Sequence, residues 1–320
     1  MNIWLVLIVL ILQIDLQTIE STQQFDNFEL LARQIVEGFL TGLHRSPFHG
    51  FSVEFAEHQQ YNVGESTKNI DWKLYAKTDK LFSKRYEEET NLRCQIVIDN
   101  SSSMLFPFGE RSIHNKLAFS LYSAAALIHL LRKQRDAVGL SLFSDEVQLH
   151  TSAHLSDSHA KMLYAELNKC LRQSFEIDSF NKQSAITQCL NQVAEMCHKR
   201  SLIIVFSDFL SADIDEVFNA LQHLKFNKNE VILFHVTEPN IEKDFNLDNR
   251  PTELIDMETN EVLKLNPNAV REAYQNSIQS IEHDLKLRCE QFQIDYVDAD
   301  INKGFYQILT NYFIKRNKLG

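Results

Sequence analysis

The sequence has few cysteines, and none of them forms a closely spaced pair. Its 320 residues include five, which are widely separated: Cys94, Cys170, Cys189, Cys197 and Cys289. An odd number of scattered cysteines suits neither a disulfide framework nor a zinc site, because both need paired thiols at characteristic spacings. We therefore expect buried, unreactive thiols and a reducing compartment.

Positive charge and glycine are also scarce. Lysine and arginine number 32 against 43 aspartates and glutamates, which gives a formal net charge of −11. No basic run is present to neutralise phosphates, so nucleic acid is not an expected partner. With only 8 glycines, the chain contains no glycine-rich phosphate loop, no nucleophile elbow and no dinucleotide-binding pattern.

The apolar run at residues 3–12 is too short to cross a bilayer, which takes about 20 residues. No lysine or arginine precedes Arg33, and no small-residue cleavage site follows the run, although a secretory signal has both features. We expect a cytoplasmic protein in which residues 3–12 are peripheral. A membrane contact through residues 3–12 and a secretory signal are the alternatives.

The first third of the chain predicts a helix and a small β-rich module. Apolar residues recur at helical spacing over residues 28–43, and Pro47 follows soon after the end of that pattern. Short alternating pieces at 50–55 and 80–86 then predict strands. We expect an amino-terminal segment at 1–27, a small α+β module at 28–90 and one large domain at 91–320.

The large domain has the pattern of a doubly wound α/β fold. Strands buried on both faces are nearly continuous apolar runs, and helical patterns between them favour a mainly parallel sheet. The predicted strands are 94–98, 137–143, 202–206, 231–236 and 292–297. The predicted helices are 116–132, 159–171, 186–198, 214–224 and 301–314. Prolines interrupt the pattern at 238–268, which we interpret as a peripheral insertion with a hairpin at 253–265.

Oxygen-bearing side chains follow two of the predicted strands. Asp99, Ser101 and Ser103 come directly after the first strand, and Asp208 follows the strand at 202–206. Ligands of open α/β sheets bind at this carboxyl edge. Hard oxygen donors favour Mg²⁺, with Mn²⁺ or Ca²⁺ as alternatives, over zinc or copper. So few protein ligands leave a coordination position open, which the acidic side chain of a partner protein could fill.

The order of these motifs resembles a known family. Asp-x-Ser-x-Ser after a first strand, with a later strand ending in Ser-Asp, is similar to the metal-ion-dependent adhesion site of von Willebrand factor A domains. Residues 70–76 (Ile-Asp-Trp-Lys-Leu-Tyr-Ala), with Tyr61, Gly64 and residues 86–90, resemble the bacterial family catalogued as domain of unknown function 58. There an Ile-Asp-Trp signature precedes such a domain. The resemblance covers the chain from about Leu31 to Asp208.

The resemblance implies a ligand set, a fold and a role. That family supplies a further hydroxyl ligand, a threonine, from the loop before the helix that precedes the Ser-Asp strand. This chain has Ser184 in that loop, with Thr187 as the second candidate. The implied metal ligands are therefore Asp99, Ser101, Ser103, Ser184 and Asp208. The implied fold is von Willebrand factor A-like, and the implied role is that of an adaptor in complex assembly or maturation. Its implied partner at the Asp99 crevice is a MoxR-type AAA+ ATPase or a client of that ATPase.

Two other functions stay open at this point. An aspartate that closes the first strand also resembles phosphatases of the haloacid dehalogenase kind, which would make the chain a hydrolase using Asp99. Those enzymes need a second carboxylate two residues later, where this chain has Ser101, which cannot act as an acid or base at neutral pH. The other alternative is a structural module with an empty metal site. We expect a non-enzymatic, metal-dependent binding protein.

Overall fold

A computed structural model describes residues 28–44, 58–60, 75, 82–84, 92–107, 114–174, 184–210, 213–259 and 261–319. Helix α1 spans Phe28–His44 and agrees with the helix predicted at 28–43. Strand β1 (His58–Gln60) pairs antiparallel with β2 (Phe82–Lys84), which falls within the strand predicted at 80–86. The predictions for residues 3–12 and 50–55 and the Ile-Asp-Trp signature lie outside the described residues.

The central sheet contains six strands. The strands after residue 92 are β3 (Arg93–Asp99), β4 (Ala137–Phe143), β5 (Val147–His150), β6 (Leu202–Ser207), β7 (Glu230–Thr237), β8 (Thr252–Ile255), β9 (Val262–Leu265) and β10 (Asp295–Asp300). The spatial order is β10-β7-β6-β3-β4-β5. Every neighbouring pair is parallel except β4 and β5, which run antiparallel.

Helices cover both faces of this sheet, which confirms the doubly wound α/β fold. They are α2 (Lys116–Lys133), α3 (Asp157–Gln173), α4 (Ile186–Met196), α5 (Ile214–Phe226), α6 (Pro239–Glu242), α7 (Pro267–Gln291) and α8 (Tyr306–Leu319). Side chains of α1, α2, α3 and α8 share one buried cluster with Ile96 and Ile98 of β3. Side chains of α4, α5 and α7 share the other with Val97. Successive residues of a strand point to opposite faces, so each central strand contributes to both clusters.

Helix α2 lies at the centre of the first layer and is buried almost all round. Fifteen of its 18 residues are buried, and α1 packs against its outer side, where the rings of Phe28 and Tyr122 stack with centroids 5.1 Å apart. Helix α1 therefore shares the core of the large sheet. Within the described part of the chain, no helix is both long enough and apolar enough to cross a membrane.

The cysteines follow the sequence prediction of buried thiols. Cys94, Cys170, Cys189 and Cys289 are buried, and Cys197 is half-buried. Burial raises the pKa of the Cys189 and Cys197 thiols to about 12. These side chains stay protonated at neutral pH and pack as small apolar groups.

The carboxyl-terminal third departs most from the predicted elements. Helix α7 was not predicted, because its only buried residues are Pro267, Leu285 and Cys289, too few for an apolar stripe. Since α7 continues to Gln291, the strand predicted at 292–297 begins three residues later, as β10. The predicted helix at 301–314 begins instead at Tyr306, after a 3₁₀ turn.

The predicted insertion contains the expected hairpin. Strands β8 and β9 pair antiparallel from Thr252 opposite Leu265 to Ile255 opposite Val262, so the hairpin begins one residue before the segment predicted at 253–265. The short helix α6 precedes the hairpin, and Pro239 occupies its first turn, where the missing proline N–H has no intrahelical partner to lose. Both elements bear on the site described next.

Candidate metal site at the carboxyl edge of the sheet

Two aspartates meet where β3 and β6 end. The strands are parallel neighbours, with Ile98 opposite Phe206, so Asp99 and Asp208 emerge at the same edge. Asp99 is 0% exposed and Asp208 is 3% exposed. The site therefore contains two buried carboxyl groups.

Serine hydroxyls surround the Asp99 carboxylate. Its Oδ1 accepts from the backbone N–H of Ser101 at 2.9 Å, and its Oδ2 accepts from the hydroxyls of Ser184 at 3.0 Å and Ser207 at 2.7 Å. The hydroxyls of Ser101 and Ser103 are 3.2 Å apart. Four serines are thus gathered around one carboxylate.

Local structure fixes the loop after Asp99. Ser101 precedes a 3₁₀ turn, and its carbonyl accepts from the Met104 N–H at 3.2 Å. The side chains of Met104 and Leu105 are buried in the first cluster. The apolar pair therefore anchors the turn, while Ser101 and Ser103 face the carboxyl edge.

Ser184 reaches the site because the loop before α4 is tied to the end of β4. The N–H of Ala185 donates to the Ser144 carbonyl at 2.8 Å, and Ser144 directly follows β4. Thr187, the second candidate for this ligand, lies in the first turn of α4, where its carbonyl accepts from the Asn191 side chain at 3.0 Å. The structure thus brings Ser184 into contact with Asp99.

The ionised form of the Asp99 carboxyl is destabilised by its surroundings. Burial, and then the nearby charge of Asp208, raise its pKa from 3.8 to about 6, although hydrogen bonds from Ser101 and Ser207 act in the opposite direction. Hydroxyl donors therefore do not fully replace the water lost by this carboxylate. A cation at this edge would supply the missing stabilisation.

A buried lysine lies on the other side of the site. The Lys116 side chain is 0% exposed, and its Nζ donates to Asp208 Oδ2 at 2.6 Å and to Glu242 Oε1 at 2.5 Å. Burial alone would lower the pKa of this ammonium, but the two carboxylates outweigh it and raise the pKa above its ordinary value. Lys116 therefore stays charged and neutralises one of its two partners.

Glu242 closes α6 and links this helix to the site. Burial raises its pKa although Lys116 acts to lower it. Its Oε2 accepts from the Glu238 N–H at 2.7 Å, and its carbonyl accepts from the Tyr274 hydroxyl at 2.8 Å. Glu242 is consequently held from both ends, and it fixes the ammonium of Lys116.

His235 supports the backbone of Asp208. Its Nε2 is 3.0 Å from the Asp208 carbonyl and its Nδ1 is 2.8 Å from the Tyr296 hydroxyl. Because a carbonyl only accepts, Nε2 carries the proton and the tyrosine donates to Nδ1. Burial, and then the charge of Lys243, lower the pKa of His235. A neutral imidazole therefore holds the chain at this point.

A second group of potential ligands lies beside His235. Among the described residues, only His235, Glu282 and Asp298 form a group of three whose spacing suits a metal ion. Lys243 Nζ, however, lies 2.6 Å from Glu282 and 2.7 Å from Asp298. Both nitrogens of His235 are already engaged as well. Lys243 and the two carboxylates therefore form an ion-pair network.

Sequence reasoning missed three residues of the site: Ser207, Lys116 and Glu242. Ser207 was recognised as part of the Ser-Asp end of its strand but was not assigned to the site. Lys116 carried a usable signal, because it occupies the first position of α2 after the Asn115 cap, where the helix dipole disfavours a cation. Glu242 lies 126 residues from Lys116, and no local pattern connects the two.

Comparison with known proteins gives a family and several distant likenesses of structure. The model of the family described as protein of unknown function DUF58 matches residues 57–284. No curated protein matches the chain. Similar solved structures include the conserved hypothetical protein BatB from Bacteroides thetaiotaomicron, at 14% identity over 70% of this chain and 99% of that chain, with a TM-score of 0.37.

Two further structures are comparably distant. One is an aerotolerance-related membrane protein from Bacteroides fragilis, at 19% identity over 70% of this chain and 99% of that chain, with a TM-score of 0.38. The other is the pilus adhesin SpaC from Lactobacillus rhamnosus, at 11% identity over 83% of this chain and 37% of that chain, with a TM-score of 0.44. At such low scores, we draw neither fold nor function from these likenesses.

Proposed function

This chain belongs to the DUF58 family of proteins of unknown function, and we propose that it is a non-enzymatic, metal-dependent protein-binding adaptor. The doubly wound domain is von Willebrand factor A-like in this proposal, and the site at Asp99 is its metal-ion-dependent adhesion site. The observation that carries the proposal is the buried Asp99 carboxylate, which accepts hydrogen bonds from serines of three separate segments: the Ser101 backbone N–H and the hydroxyls of Ser184 and Ser207.

The donor chemistry fits a small hard cation. Carboxylate and hydroxyl oxygens suit Mg²⁺, and also Mn²⁺ or Ca²⁺, better than softer metals. Asp99, Ser101, Ser103 and Ser184 would hold the ion, and Asp208 would complete the set either directly or through water. The raised pKa of Asp99 indicates that this carboxylate lacks a positive neighbour. When bound, the ion supplies an open position for one oxygen of a partner.

The charges of the site define that partner. Asp99, Asp208 and Glu242 carry three negative charges, and Lys116 carries one positive charge. Two negative charges therefore remain uncompensated, and a divalent cation would make the cluster neutral. A magnesium ion still needs more oxygen ligands than the chain offers. An aspartate or glutamate of a second protein would supply such an oxygen, and a MoxR-type AAA+ ATPase or its client is the proposed source.

The residue two positions after Asp99 argues against the phosphatase alternative. Ser101, at the position of the acid/base residue in such enzymes, has no group that titrates near neutral pH. Binding rather than catalysis is therefore the proposed role.

Calorimetry tests the metal step. Titration of Mg²⁺ and of Mn²⁺ into the wild type should give saturable heats that Asp99→Ala abolishes. Asp145→Ala is the matched control, because this exposed aspartate follows the neighbouring strand β4, and it should bind like the wild type. Equal, negligible heats for all three proteins would leave the structural module with an empty site as the correct description.

Capture of the ATPase tests the partner step. The wild type and the Asp145→Ala control should retain the purified MoxR-type ATPase in Mg²⁺ and lose it in a chelator. The double variant Asp99→Ala, Ser101→Ala should retain little in either buffer. Retention of the ATPase at wild-type level by this double variant would exclude the Asp99 edge as the binding surface.

A further inference from the structure

The hairpin of the insertion brings one of its own carboxylates to the candidate metal site. Glu258 lies in the turn between β8 and β9, and its Oε2 accepts from the Ser184 N–H at 3.4 Å. The hydroxyl of the same Ser184 donates to Asp99 at 3.0 Å. A single residue therefore separates the Glu258 carboxylate from the carboxylate of Asp99.

The tip of this hairpin is docked, whereas each of its strands has a strongly exposed apolar residue. Met257 packs against the first core cluster, and Glu258 Oε1 is a buried atom. In contrast, Ile255 is 61% exposed and Leu263 is 60% exposed. If the hairpin served only to cover the domain with apolar surface, its strands would be the buried part. The tip instead contributes Met257 to the core and Glu258 to the contact with Ser184.

The turn itself is preorganised. Asp256 accepts from the N–H groups of Glu258 at 2.7 Å and Thr259 at 3.1 Å, and its own N–H donates to the Glu261 carbonyl at 2.9 Å. These bonds fix the backbone on both sides of Glu258. A carboxylate held this way binds at a small entropic cost compared with one on a flexible loop.

We propose that Glu258 is a tethered carboxylate ligand of the Asp99 site, which competes with the acidic side chain of a partner protein. This proposal rests on the proposed function and adds a regulatory element to it. Glu258 covers the metal edge when no partner is bound. A partner then binds by displacing Glu258. The preformed turn determines how strongly the partner's carboxylate must bind in order to do so.

Bound Mn²⁺ provides the test, with Glu258→Gln as the variant and Glu261→Gln as its matched control. Both changes remove one negative charge from the same hairpin, and Glu261 is exposed. Glutamine at 258 keeps an oxygen that accepts from Ser184, so the hairpin should stay folded. Calorimetry gives the Mn²⁺ affinity, and water-proton relaxation gives the number of fast-exchanging waters on bound Mn²⁺.

Glu258→Gln should weaken Mn²⁺ binding about tenfold, as loss of a supporting carboxylate does at other metal sites. It should also raise the relaxivity of bound Mn²⁺, because water replaces the lost ligand, and added acetate should reverse that rise. Glu261→Gln should match the wild type in each measurement. If Glu258→Gln keeps the wild-type affinity and relaxivity while Mn²⁺ binding still depends on Asp99, only the proposal of a tethered ligand is overturned. Absence of Mn²⁺ binding by the wild type would overturn the proposed function and this proposal together.

Discussion

Replacement of Asp99 by asparagine should stabilise the metal-free protein. Asparagine has nearly the shape of aspartate but no charge, so it removes the desolvation penalty that the buried carboxylate carries. Its oxygen still accepts from the Ser101 N–H. Its amide group donates to Ser184 and Ser207, whose hydroxyls rotate to accept. Each serine oxygen therefore keeps a hydrogen-bond partner, while its proton gives up the Asp99 acceptor.

The magnitude follows from the pKa of Asp99. Burial and the charge of Asp208 raise it from 3.8 to about 6, a shift of roughly two units, which corresponds to about 3 kcal/mol. Because the folded-state pKa is above the unfolded value, the native protein binds this proton more tightly. The wild type therefore gains stability as the pH falls below about 6, and loses that gain as the pH rises through it. The advantage of Asp99→Asn should be largest at pH 8 and small near pH 4.

Chemical denaturation in a chelator, repeated at several pH values, measures this advantage as a difference in the free energy of unfolding. Asp145→Asn, on the exposed end of the neighbouring strand, should change that free energy by less than about 0.5 kcal/mol. Excess Mg²⁺ should then favour the wild type, since a ligand at a hundred times its Kd stabilises by about 2.7 kcal/mol. A metal-free Asp99→Asn that is less stable than the wild type at pH 8 would refute the reasoning.

Two further changes test the surroundings of the site, and a third tests close packing within the sheet. Lys116→Met leaves Asp208 and Glu242 without their shared cation and should lower the free energy of unfolding by about 3–5 kcal/mol. Lys315→Met is the control, because the carboxylate partners of Lys315 are over a third exposed. It should lower the free energy of unfolding by no more than about 1–2 kcal/mol in the same denaturation assay. Ser184→Ala should weaken Mn²⁺ binding about tenfold, whereas Thr187→Ala should leave it unchanged in calorimetry. Gly139→Ala places a methyl group on the side-chain oxygen of Gln95 and a backbone carbonyl, and should lower the free energy of unfolding by about 1–3 kcal/mol, read from the denaturation midpoint.

Most of the fold could be predicted because its signals are local. The central strands are apolar on both faces, so β4 and β6 begin at the predicted residues. Helices α1, α2 and α5 also begin at the predicted residues. Helix α7 lacks such a signal, since most of its side chains face solvent. Strand β5 is short and half-exposed at the edge of the sheet, so its sequence has no apolar run that would predict a strand.

The candidate site divides in the same way. Asp99, Ser101 and Ser103 are neighbours in sequence, and Asp208 follows a recognisable strand, so one rule about strand ends brings all four together. Ser184 came from the family resemblance, because nothing local distinguishes it from other loop serines. Lys116 and Glu242 depend on a contact across 126 residues, which only the folded chain defines.

The segment at 238–268 contacts both sides of the site, once through α6 and once through the tip of its hairpin. Glu242, at the end of α6, contacts Asp208 through the ammonium of Lys116. Glu258, at the tip of the hairpin, contacts the Asp99 side through Ser184. Charge at the site therefore acts on two acidic residues of one segment. A cation that draws Glu258 closer would also weaken the pull of Asp208 on Lys116, which leaves the lysine more strongly paired with Glu242. Both effects would hold the segment on the sheet edge, so its position would depend on whether the buried site contains a cation.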